Sequence, residues 1–138
     1  VIDPLRTALA EIAALPAVTA IASDRVRRGD PAPGDLTGDG QYQALVVLVR
    51  LDSARDPRTP RLEVPITARC YGRDRQEAAA LWGAISDGLN NRGPRTVGGV
   101  LVYRTFAPSD GGDTEDPGTH QPMVAGLIRY HVATAAVA

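Results

Sequence analysis

The chain has 138 residues and a mass of 14.5 kDa; 43% of it is hydrophobic and 22% charged, and fifteen basic against sixteen acidic residues leave a net charge of −1. That length fits one domain over residues 1–138 that buries about two thirds of its unfolded surface, and the composition excludes a largely disordered chain. No global positive field draws in nucleic acid, no apolar run approaches the roughly 20 residues needed to span a bilayer, and Val1-Ile2-Asp3-Pro4 has neither the basic nor the apolar region of a signal peptide.

In chain order, the first predicted helix runs from Pro4 to Leu15. Asp3 is placed to cap it, and Pro4 suits a first helical position, where a missing N–H costs nothing. Leu5, Leu9, Ile12 and Ala13 share one face at helical spacing, and Pro16 ends the helix. A first strand is expected over Thr19–Arg27 and a second over Gln43–Leu51. The second is apolar on both faces, Leu45, Val47, Val49 and Leu51 against Ala44, Val46 and Leu48, so it should sit centrally with cover on both sides. The third, Arg61–Tyr71, alternates: Leu62, Val64, Ile66, Ala68 and Cys70 face a core, while Pro65 removes a ladder donor and suggests an edge or a bulge. A second helix follows over Arg75–Asn90. Asp74 and Glu77 are spaced as a capping box, Ala78, Leu81, Trp82, Ile85 and Leu89 form the apolar stripe, and Asn90-Asn91-Arg92-Gly93-Pro94 stops it. Two more strands, Val97–Phe106 and Pro122–Thr134, complete the order α-β-β-β-α-β-β. The expected fold is α+β, a mostly antiparallel sheet of about five strands flanked by two helices.

The connections are unusually long. Residues 29–42, 52–60 and 107–121 are rich in Gly, Asp and Pro, and two exceed the roughly 12 residues beyond which loops are usually functional or disordered. A subunit that docks on neighbours can use such loops. If the chain is such a subunit and forms a ring, the candidate contacts are the basic cluster Arg25, Arg27 and Arg28 with the following Asp30; Arg55, Asp56 and Arg58 in the middle connection; and Asp110, Asp113, Glu115 and Asp116 in the last. Complementary charge between these segments would fix the register of adjoining subunits.

Catalytic patterns are missing from the sequence. His120 and His131 have no HxH or HExxH spacing, so no metal site is expected. Cys70 is the single cysteine, which precludes an internal disulfide, and its apolar strand face makes it a poor nucleophile. No Gly-x-Ser-x-Gly elbow surrounds any of the four serines. The acidic 110–116 segment lacks EF-hand spacing, and Gly38-Asp39-Gly40 lacks the lysine of a phosphate loop. Arg28-Gly29-Asp30 spells an integrin-binding tripeptide, a match that chance supplies readily. All fifteen basic residues are arginine, and their scatter among acids points to codon usage rather than to a basic arm. Neither an enzyme nor a cofactor is expected.

The join Ile66-Thr-Ala-Arg-Cys-Tyr-Gly72, followed by Asp74, Glu77-Ala78, Leu81, Ile85 and Leu89, together with the order of elements, resembles the tail terminator, or tail completion, subunits of long-tailed bacteriophages over residues 3–134. The resemblance implies a homo-oligomer, a hexameric ring. Such a ring caps the tail tube protein, joins it to the head–tail connector protein, and lets genomic DNA pass through its lumen. It implies no membrane partner, assembly in the host cytoplasm, and a place in the virion neck. Another neck component, a head completion or stopper protein, shares the order of elements. A small ligand-binding or enzymatic α+β domain is the reading from a different class, and a pocket joining Arg69, Tyr71 and Arg104 would favour it; a nucleic-acid binder would use Arg25–Arg28.

Overall fold

Three helices lie on one face of a curled sheet in this computed structural model, which describes residues 3–29, 37–38, 41–42, 44–51, 54–55, 61–108, 111–115 and 121–133. Helix α1, Pro4–Ala13, opens as expected: the Asp3 carboxylate accepts the Arg6 amide and Pro4 stands in the first turn. Its buried residues are Pro4, Thr7, Ala8, Glu11 and Ile12, so the inward face is rotated from the expected one; Leu5 and Leu9 are only half-buried and Ala13 is exposed. Pro16 ends α1 but also begins a second helix, α2, Pro16–Ala22, bent by 80° from the first. The expected strand over 19–27 therefore begins as helix, up to Ala22, and is strand only at Val26 and Arg27. Proline is as well suited to starting a helix as to stopping one, and Val18 and Ala22, one turn apart, reach the core. Among the described residues no single helix is long and apolar enough to cross a membrane.

Strand β1 is only Val26–Arg28. Two-residue strands β2, Thr37–Gly38, and β3, Gln41–Tyr42, pair with each other. Then come β4, Leu45–Arg50, the short β5, Ala54–Arg55, and the long β6, Arg61–Tyr71. Helix α3, Arg75–Leu89, buries all five residues of the expected stripe and Ser86. The Asp74 carboxylate accepts the Glu77 amide at 2.8 Å; Glu77 returns the contact to the Arg73 amide, one residue before the usual capping-box partner. Asn91 takes a left-handed φ of 54° just past the helix. The expected fourth strand is a hairpin, β7, Arg95–Val97, and β8, Val100–Phe106, because Gly98 and Gly99, at φ 56° and 78°, make a two-residue turn with both central residues left-handed. Within the expected last loop, β9, Gly112–Glu115, pairs with β10, Pro122–Ala133.

The main sheet runs β1-β4-β6-β10-β8-β7, with β5 on β6 and β9 on β10. Only the β1–β4 pair is parallel. The fold is α+β, with more strands and one more helix than expected. Pro65 lies in a central strand, yet its missing N–H costs little. Its carbonyl accepts the Leu51 amide where β4 ends, and its nitrogen lies on the same side, so the missing donor falls only at the end of the β4–β6 ladder.

The main core joins the helices to the inward residues of the sheet, among them Val46, Ile66, Cys70, Ile128 and Val132. Burial pushes the Cys70 thiol pKa far up, which suits a small hydrophobe and not a nucleophile. Two close approaches hold α3 on the sheet. A Cβ at Gly72 would sit 2.6 Å from the Asp74 carbonyl oxygen and closer still to the Ala78 amide, and one at Gly126 would enter the Trp82 ring.

Candidate functional site: the helix-free sheet face

Side chains alternate across a sheet, so the residues that do not face the helices form a second surface. Cross-strand register lays it out in rows. Leu45, Tyr71 and Met123 make one row, Arg27, Val47, Arg69 and Ala125 the next, then Val49, Thr67 and Leu127. Pro65, Arg129 and Phe106 follow, and Glu63, His131 and Arg104 after them.

The two ends of this surface differ. Leu45, Val47 and Tyr71 are fully buried in a cluster with Val49 and Met123 packed against it. The cover expected on the second face of this strand is thus supplied within one chain at these residues, with no neighbouring subunit needed there. The other end is open: Leu51 is 46% and Phe106 37% exposed, the two exposed large hydrophobic side chains among the described residues. Half-buried Val49, Pro65 and Leu127 lie between them.

A β-bulge shapes the open end. The register between β10 and β8 slips between His131 and Val132, so Tyr103 and Arg104 together oppose His131. After that step Thr105 turns inward, while Tyr103, Arg104 and Phe106 face outward. They line a shallow groove of about 380 Å³ with Arg61, Pro94 and His131. Arg61 lies 4.5 Å over the Tyr103 ring, Phe106 meets His131 edge-on at 5.6 Å, and Arg104 donates to Asn91 Oδ1. Arg129 is 3.9 Å from Glu63 Oε1. Arg69 and Tyr71 do not line the groove; they pair with Ala125 and Met123, toward the far end of β10. The convergence of Arg69, Tyr71 and Arg104 that would favour a ligand-binding domain is therefore not formed. Among the described residues no three His, Cys, Asp or Glu side chains come together as a metal site would require.

The other expected contact residues fall apart into separate places. Arg25 leads into β1, where its carbonyl accepts the Val46 amide. Arg27 donates to the Asp24 carbonyl, and Arg28 pairs with Asp3 at 3.0 Å, which holds the Asp3 carboxyl below the usual range. Arg55 lies in β5. Asp113 and Glu115 are exposed on β9, and Asp113 is 3.8 Å from Arg75. Asp30, Asp56, Arg58, Asp110, Asp116 and His120 lie outside the described residues.

Sequence pattern scarcely signals the buried polar centre that carries the hairpin. Glu11, 7% exposed, receives two hydrogen bonds from Arg95, at 2.5 and 2.6 Å, and one from the Tyr130 hydroxyl at 2.8 Å. Arg95 also donates to Thr105 Oγ1, which donates to the Leu89 carbonyl. Burial and then the Glu11 charge push the Tyr130 pKa well above its ordinary value, keeping the hydroxyl a donor. The sole available signal was Glu11 in line with Thr7, Ala8 and Ile12. A buried carboxylate needs partners distant in sequence, and spacing along one helix does not reveal them.

No family model matches the sequence, and no curated protein does. Five chains of solved structures match the fold. One is a chain of the structure described as "Virion of native gene transfer agent (GTA) particle", at 14% identity and a TM-score of 0.65, with 87% of each chain covered. The α+β fold of this chain is thus shared, nearly end to end, with a chain of that particle.

Proposed function

We propose that the chain is a structural virion component and, within the virion, a tail terminator. Copies of it form a ring, a hexamer by resemblance, that caps the tail tube and meets the head connector while genomic DNA passes through. The observation that carries this reading is the end-to-end likeness to a chain of the gene transfer agent virion. A helix-free sheet face, apolar in its middle and edged by arginines, is the kind of surface a repeating subunit buries against a neighbour. On this reading the protein is not an enzyme, takes no cofactor and resides in the virion neck. The alternative neck role is that of a head completion or stopper protein. The purified chain is expected to form discrete closed rings in negative stain and to bind the end of tail tubes. Failure to associate with itself or with tubes at any concentration would overturn the reading; rings that bind only the connector would move it to the other neck role.

A further inference from the structure

Arginines dominate the charge at the open end of the helix-free face: among the described residues Arg61, Arg104 and Arg129 stand there with a single acid, Glu63. The stack on Tyr103, the bond to Asn91 and the approach to Glu63 hold these side chains in place before any partner arrives. The complementary charge lies elsewhere in the same molecule. All four residues of β9 are exposed; Asp113 and Glu115 project on its helix-side face, opposite Val124 and Pro122 and away from the arginines, and the sequence from Asp110 to Asp116 contains four acids and no base. Asp113 pairs with Val124, and His131 marks the arginine end seven residues further along β10. At about 3.3 Å per residue the two patches are ~23 Å apart, so one copy cannot join its own.

We infer that the acidic β9 edge of one copy docks on Arg61, Arg104 and Arg129 of the next. This deepens the ring reading and rests on it. The two patches differ, so the contact is heterologous and repeats head to tail, closing if the rotation fits. Docking exchanges the Arg75–Asp113 pair, which is loose and solvent-exposed, and such pairs contribute little. A nucleic-acid backbone would meet the same arginines, but the molecule carries its own acidic counterpart and a net charge of −1, which favours a second copy.

The test compares the full chain with Asp113→Arg/Glu115→Arg and with Arg61→Glu/Arg104→Glu/Arg129→Glu, by light scattering and native mass spectrometry at low and high salt. Melting temperatures check that each variant is folded. Each variant alone is expected to raise the dissociation constant at least about 100-fold. An equimolar mixture should regain association as mixed pairs, and salt should weaken the wild-type oligomer. Wild-type-like oligomers from the β9 variant would overturn this contact and leave the ring reading standing, whereas a wild type monomeric under every condition would overturn both. A β9 variant that still assembles, beside an arginine variant that alone loses binding to duplex DNA, would make the face a nucleic-acid surface and overturn the proposal.

Discussion

Gly72 shows how one residue can be dictated by geometry. It joins β6 to α3, where main chain from the first helical turn occupies the space a Cβ would need. Backbone cannot swing aside as a flexible side chain can, so Gly72→Ala is expected to cost about 1–3 kcal/mol in urea unfolding. Glu11 makes the opposite case, a charge tolerated in the core because Arg95 and Tyr130 satisfy it. Glu11→Ala leaves Arg95, itself nearly buried, without its carboxylate, and is expected to lose about 3–5 kcal/mol. The double replacement Glu11→Leu/Arg95→Met should recover much of that loss, because no buried charge is then stranded. A double variant as unstable as the single one would show that the network matters for shape rather than for charge.

At the scale of elements, α3 is the piece most fully specified by its own residues. Its cap, apolar stripe and stop signals all agree, and Asp74→Ala is expected to cost about 1 kcal/mol, read from thermal or urea unfolding. Its first turn also predicts a pH dependence. The Arg73 guanidinium bonds Glu77 and holds its carboxyl below the ordinary 4.5. A lowered folded value adds stability that is present above 4.5 and lost as pH falls through the folded value. Unfolding profiles of Glu77→Gln should therefore be flatter than wild type below pH 4.5, with little difference in direction above it. Elements α2 and the β7–β8 hairpin were less legible. A proline marks a helix start as readily as a stop, and Gly98-Gly99 splits what reads as one strand only because both glycines turn left-handed.

For the whole molecule, the outermost strands of the main sheet's path, β1 and β7, are three residues each, and β9 is short and acidic; such edges resist indiscriminate pairing. On the proposed ring reading, association is thereby directed to the open end of the helix-free face. Leu51→Asn removes an apolar group that is already half in water, so folding stability should change by no more than about 0.5 kcal/mol. Self-association measured by sedimentation should nevertheless weaken. A large loss of stability without any change in association would mean that Leu51 serves the fold and not a contact.

The period-two alternation of β6 and β10 and the helical stripe of α3 determine an α+β layer from local pattern alone, because side-chain direction follows directly from backbone type. Local pattern also puts Leu51 on one face with Leu45, Val47 and Val49, and it places acids in the 110–116 segment. Tertiary structure decided the rest. It closed Leu45 and Val47 within one chain and left Leu51 open, paired Glu11 with Arg95 across 84 positions, and let a one-residue bulge bring Tyr103 and Arg104 beside Arg61. Each of these depends on which strands lie side by side and in what register, and register is set by the packed whole rather than by any segment of the chain.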